Sequence, residues 1–247
     1  MIGRIFRAAP IALLLLAGCG DISNAPSDEG TQVNGFPAAD RPVAKIISSK
    51  WSNEDARDSV NEAREVMDNA GVKEGMTVAD IGAGEGYYTI RLSARVGKEG
   101  RVLAEDIVPA VRDALATRVS RERLDNVSVR LGLPADPRLP EGSFDRVLMV
   151  HMYHEIESPY EFLWRLRPSL KPDGEVAVVD ADKPTQAHGT PPALLKCEFA
   201  AVGYTQVAFH RMPAARAYLA LFRATSPRPE PGTIKACKEP SAPQPEH

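Results

Sequence analysis

Between residues 78 and 90 the sequence reads VADIGAGEGYYTI, with Gly82, Gly84 and Gly86 at alternate positions and Asp80 just ahead of them. Glycine loses more backbone entropy on folding than any other residue, so such a cluster marks a sharp turn and a place where a ligand approaches bare backbone. An apolar run precedes the cluster and a helical pattern follows it. The loop therefore opens a helix, whose unbonded N–H groups favour an anion. A dinucleotide fingerprint would read G-x-G-x-x-G, and here Tyr87 stands where its third glycine belongs. That departure favours a ligand with a carboxylate near the loop over a pyrophosphate, and disfavours the alternative of an NAD-dependent oxidoreductase. Asp80 adds a carboxylate able to accept from an ammonium group.

A second carboxylate, Asp106, closes the strand in RVLAEDIVPA, 22 residues after Gly84. At that place it can accept both hydrogens of a ribose diol, while capping of the next helix is the plainer role open to it. Glu105 points to the opposite face of the strand. A third group sits in VHMYHEI, which carries His151, Tyr153, His154 and Glu155. His154 with Glu155 could take a proton from an acceptor, with Tyr153 beside them. The same residues could instead shape the pocket and cap the next helix. His151 and His154 alone lack a defined ligand set, so no metal is expected from that pair.

These residues need elements to hold them. Periodicity gives a helix over 53–70, strand 76–81, helix 86–95, strand 101–106, helix 109–122 and strand 126–131. It continues with strand 144–150, helix 158–168, strand 174–180, helix 191–202 and strands 205–210 and 216–223. Alternation of this kind builds a parallel sheet covered by helices, and two final strands with no helix between them build an antiparallel edge. Ligands then lie outside the carboxyl ends of the strands, where the strand order switches. The glycine loop, Asp106 and the VHMYHEI stretch all fall there.

Taken in order, VADIGAGEGYYTI, GRVLAEDIVP, GSFDRVLMVHMYHEI and LKPDGEVAVVD resemble the class I S-adenosylmethionine-dependent methyltransferases over about residues 53–223. The resemblance implies a Rossmann-like, doubly wound α/β sheet of seven strands in order 3-2-1-4-5-7-6, with strand 7 antiparallel. It implies S-adenosylmethionine as cofactor, its methionine end at Asp80, Gly82, Gly84 and Gly86 and its ribose at Asp106, and a small-molecule methyl acceptor. His151 crowds the methyl end. Many members carry Gly-Asp-Ala after strand 3, the Asp meeting the adenine. Here the stretch is LGLPADPRLP, and Asp136 or backbone atoms must take that role. A methyltransferase fold that binds a nucleoside-like ligand without turnover is the alternative these residues leave open.

The N-terminal MIGRIFRAAPIALLLLAGCG has two arginines, an apolar run too short to span a bilayer, and small residues, the layout of a secretory signal. Leu16-Ala17-Gly18-Cys19 looks like a bacterial lipobox, so residues 1–18 are expected to be a lipoprotein-type signal peptide and Cys19 the lipidated N-terminus. That places the protein on a membrane surface of the cell envelope, facing the periplasm, while the cofactor is made in the cytoplasm. A leader that is not used would leave it cytoplasmic. Residues 19–50 read as a flexible linker, 51–224 as the folded domain and 225–247 as a Pro-rich disordered tail. Cys197 and Cys237 could pair, but a buried Cys197 and a free Cys237 in the tail are expected. With 30 Lys and Arg against 33 Asp and Glu, scattered along the chain, nucleic acid is excluded as a partner. The acceptor's identity and the oligomeric state are not encoded in any recognisable motif.

Overall fold

The computed structural model describes residues 32–46 and 54–240. The signal peptide and Cys19 lie outside them. A two-stranded turn, β1 (Gln32–Val33) and β2 (Phe36–Pro37), precedes α1 (Glu54–Ser59) and α2 (Glu62–Asn69). Then follow β3 (Thr77–Ile81), α3 (Tyr87–Val96), β4 (Arg101–Asp106), α4 (Pro109–Arg121) and β5 (Val127–Leu131). The second half holds β6 (Phe144–Val150), α5 (Pro159–Leu166), β7 (Leu170–Asp180), α6 (Pro192–Ala201), β8 (Tyr204–Met212) and β9 (Ala217–Ala224).

Seven strands form one sheet in the order β5-β4-β3-β6-β7-β9-β8. The pairs from β5 to β7 are parallel, and β9 runs against both β7 and β8. This is the expected doubly wound sheet with an antiparallel pair at one edge. The connection changes sides between β3 and β6, and the register puts Asp80 opposite Ala104 on one side and Leu148 on the other. The carboxyl ends of β3, β4, β6 and β7 are therefore level, which brings four widely separated sequence segments to one rim.

Both faces of the sheet are buried, as parallel strands require. One face packs Phe144, Tyr160, Leu163, Phe199 and Phe222 beneath α5 and α6, with Phe199 and Phe222 stacked at 3.9 Å. The other packs Val66, Tyr88, Leu92 and Val96 from α2 and α3 against Val78, Val102 and Leu148. Each such side chain contributes about 1.5–3 kcal/mol on burial.

Four expectations change here. The helix over 53–70 is two helices, broken at Asn61, whose backbone is left-handed at φ 54°; asparagine tolerates that conformation better than most residues. Residues 36–46, read as linker, are packed: Phe36 is buried, and the buried Arg41 Nε donates to Glu198 Oε1 at 2.9 Å. Residues 225–240, read as disordered, are also packed. Trp164 Nε1 donates to Pro229 O at 2.9 Å, Arg228 lies 3.6 Å over the Trp164 ring, and Cys237 N donates to the Tyr160 hydroxyl. Cys237 is not free but forms a disulfide with Cys197. An extended Pro-rich segment has no hydrophobic period of its own, yet side chains of the folded domain and one covalent bond hold it down.

Candidate functional site

A cavity of about 730 Å³ opens at the carboxyl ends of β3, β4 and β6, within the roughly 300–1,000 Å³ typical of ligand pockets. Its floor is the glycine loop. Gly84 has φ +56°, and a Cβ built on it would meet nothing within 4 Å, so the space above belongs to the cavity. Gly86 has the opposite constraint: at φ +92° a Cβ would come within 2.5 Å of Leu115 Cδ1, so glycine lets α3 start against α4. Gly82 sits against Met152 at the start of the loop.

Asp106 is wired to this loop. Its Oδ2 accepts from Gly84 N at 3.1 Å and its Oδ1 from Val108 N at 2.9 Å, and burial holds its pKa above the usual carboxylate value. A carboxylate offers about four acceptor sites, so Asp106 keeps capacity for a further donor beyond its backbone bonds. Asp80 lies one layer down. It is buried, Thr89 Oγ1 donates to it at 2.6 Å, and burial pushes its pKa to about 6, with the Asp106 charge adding to the rise. Asp80 ties β3 to the first turn of α3 through Thr89 and is not part of the cavity lining. Glu105, read as pointing away, does line the cavity. It is 1% exposed, and its Oε1 has no hydrogen-bond partner. Burial, then the neighbouring Asp106 charge, raises its pKa to about 8 against a bond from Gly82 N. Asp136 does not reach the cavity: its carboxylate takes Arg138 N at 2.8 Å and faces Arg165.

The opposite wall comes from β6, β7 and their loops. His151 follows β6 with a left-handed backbone, φ 54°, and its Nε2 lies 3.5 Å from Glu62 Oε1. Glu62 also accepts from Arg57 Nη2 at 2.5 Å and the Tyr88 hydroxyl at 3.0 Å. Burial opposes its ionisation, but bonds from His151 and Arg57 hold its pKa down to about 2. The turn Tyr153–Glu155 then places His154 with Nδ1 3.0 and 3.1 Å from the two oxygens of Asp180. Asp180, fully buried at the end of β7, further accepts from Thr190 Oγ1 at 2.7 Å and Ala181 N at 2.8 Å. With only donors around it, this carboxylate accepts from His154 Nδ1 and leaves Nε2 on the other side of the ring for a different partner. Glu155 and His188 line the cavity beside it. Tyr153 does not: it is fully buried on the far side of the turn, donating to Glu198 Oε2 at 2.7 Å, and the expectation of a direct chemical role for it gives way to a packing one.

Sequence reading missed Asp180, Glu62, Arg57 and His188. For Asp180 a signal existed, since it closes the strand VAVVD as Asp106 closes VLAED. Glu62 and Arg57 lie on the broken helix pair and carry no local signature. The residues present suit a sulfonium nucleoside: open backbone at Gly84, a carboxylate at Asp106, and an unbonded carboxyl oxygen at Glu105 in a cavity rich in acids.

Residues 78–174 match the family model described as a methyltransferase domain. The chain is 33% identical over 119 residues to nocamycin O-methyltransferase of Saccharothrix syringae, covering 47% of this chain and 41% of that protein. It is 31% identical over 129 residues to a ubiquinone/menaquinone biosynthesis C-methyltransferase of Hahella chejuensis, 49% of each. It spans about half the length, or less, of these two curated relatives. A SAM-dependent methyltransferase from Aquifex aeolicus superposes with a TM-score of 0.67 at 24% identity, over 73% of this chain and all of that one. In its matched residues the chain is similar to methyltransferase domains, and it shares its sheet with a solved methyltransferase fold.

Proposed function

We propose that the protein is an S-adenosylmethionine-dependent methyltransferase acting on a small-molecule acceptor. The observation that carries this reading is the cavity itself, walled on one side by the Gly84–Asp106 unit and on the other by the His154–Asp180 pair. When bound, S-adenosylmethionine supplies an electrophilic methyl group on a positively charged sulfur. Asp106 holds the ribose hydroxyls. Gly82 and Gly84 let the methionine portion lie on bare backbone, Gly86 seats α3 against α4, Asp80 anchors the first turn of α3 through Thr89, and His151 borders the methyl end. His154 and Glu155 handle the acceptor's proton. Positioning does most of the remaining work in an in-line displacement. Titration calorimetry with S-adenosylhomocysteine and NAD tests the reading: heat with the first and none with the second is expected, and the reverse overturns it. Transfer of labelled methyl from S-adenosylmethionine to a screened acceptor then separates an enzyme from a binding module.

We further propose export and anchoring through a lipidated Cys19, with the domain at the cell envelope on the periplasmic side. The Cys197–Cys237 disulfide supports this reading, because such bonds persist in oxidising compartments. Cys19→Ser is expected to release the protein from the membrane fraction, since acyl chains contribute about 0.8 kcal/mol per buried CH₂. Wild-type protein found in the cytosol with Met1 intact overturns export.

A further inference from the structure

We infer that His154, Glu155 and His188 form a binding site for a divalent transition-metal ion, zinc being the best match, on the acceptor side of the cavity. One ring nitrogen from each histidine and one carboxylate oxygen of Glu155 lie within 4.8 Å of one another. Two histidines and a glutamate are the protein donors of a common catalytic zinc site, which keeps its fourth position open. All three residues line the cavity, so that fourth position faces the space an acceptor would occupy. Magnesium and calcium, which prefer all-oxygen shells, fit this donor set poorly.

Two features separate this cluster from a chance meeting of polar side chains. The first is the carboxylate behind His154. Metal-bound histidines almost always give their other ring N–H to a carboxylate, carbonyl or water, which orients the ring and makes it a better donor. Asp180 does this from full burial, with both oxygens near Nδ1 and its own position fixed by Thr190 and Ala181. The second is the loop that delivers His188. Its backbone is left-handed at φ 55°, a sparsely populated region for a non-glycine residue. Backbone bonds from His188 N to Thr185 O and from Thr190 N to Ala181 O hold it there. The next residue must be glycine, since a Cβ on Gly189 would come within 2.5 Å of Ala181 O. So constrained, the His188 ring stands edge-on to His154 at 5.4 Å. A general base working alone needs one braced imidazole; a second imidazole held beside it by the turn Thr185–Ala187 fits an ion shared between the two rings.

Donors around tetrahedral zinc are about 3.3 Å apart at Zn–N distances of roughly 2.0–2.1 Å. The cluster must therefore contract on loading. The proposal rests on the methyltransferase reading for its chemical purpose. An acceptor hydroxyl or thiol binding the ion as fourth ligand would lose its proton to water at a lower pH, so the acceptor class is one with an ionisable oxygen or sulfur. In the zinc-loaded protein His154 and Glu155 would act on the acceptor's proton through the ion they hold, which lowers the acceptor's pKa, and not as free bases.

The test uses the full chain in detergent, stripped with a chelator and titrated with zinc chloride in a calorimeter. One equivalent per chain is expected. His188→Ala and Glu155→Gln should each weaken zinc by at least tenfold, and Asp180→Asn by about 10–100-fold. The His188→Ala protein should keep its melting temperature and its affinity for S-adenosylhomocysteine, which shows an intact fold. Absence of stoichiometric zinc binding, or zinc affinity unchanged in His188→Ala, overturns the site. Failure of the wild-type chain to bind S-adenosylhomocysteine would instead overturn the methyltransferase reading and leave the zinc result standing.

Discussion

The backbone N–H of Gly84 donates to Asp106 Oδ2 across 3.1 Å, joining the loop after β3 to the end of β4. Neither residue is independent of the other. Asp106→Ala removes the carboxylate assigned to the ribose and also frees the loop N–H. The expected cost is about 1.5–3 kcal/mol in S-adenosylhomocysteine affinity, the scale of charge-assisted hydrogen bonds. Calorimetry on the folded variant measures it, and unchanged affinity would remove the ribose assignment.

Gly84→Val should lose cofactor-product binding altogether. At φ +56° a β-branched residue is strained, by about 1–2 kcal/mol, and its side chain projects into open cavity rather than into protein. A modest drop in melting temperature together with complete loss of binding is the expected pair of results. Normal binding would reduce the loop to a turn.

His154→Ala should lower turnover by about 10²–10⁴, the usual contribution of proton transfer at a positioned group, with little change in affinity for S-adenosylhomocysteine. Steady-state rates on an identified acceptor, set beside calorimetry, separate the two effects. A variant that weakens binding and rate together would mark His154 as a wall of the pocket.

Glu105 makes a pH-dependent contribution whose sign follows from its raised pKa. Burial, then the Asp106 charge, keeps its proton on up to about pH 8, whereas the unfolded chain releases it near 4.5. The native state therefore holds a proton that the unfolded state gives up between those values. The contribution is fully present below about pH 4.5 and is lost as pH rises towards 8. Glu105→Gln should raise the melting temperature at pH 8, by about 2–4 °C per kcal/mol recovered, and change it little at pH 4.5. Equal effects at both pH values would show that the carboxyl is ionised in the folded protein.

The sheet and the glycine loop with its strand-closing carboxylate were legible because each rests on local sequence: apolar runs of strand length, glycines that no other residue replaces cheaply, a carboxylate closing a strand. The opposite wall of the cavity was legible only in part. VHMYHEI announces imidazoles, but which of its side chains turns inward depends on a single 3-10 turn, and that turn sends Tyr153 to Glu198 and His154 to Asp180. Asp180 and His188 come from a strand end and a loop about 25–35 residues further on, a pairing that only tertiary contact supplies. The terminal segments were misjudged for a similar reason. Proline-rich and polar composition argues against a core of one's own, yet it does not prevent a segment from lying on someone else's.

Arg41 lies well outside the matched residues 78–174, and its guanidinium spans the Tyr153, His154 and Ile156 carbonyls while pairing with Glu198. Ala44 N adds a bond to His154 O at 3.1 Å, and the disulfide ties the helix of Glu198 to the C-terminal segment. The chemistry-bearing turn is thus gripped by chain from before the domain and steadied by chain from after it. Cutting away only the segment that carries Arg41 would leave Glu198 buried without its cation, at about 3–5 kcal/mol, and would let His154 drift from its partners. The smallest working unit of this protein is wider than the family outline drawn on it.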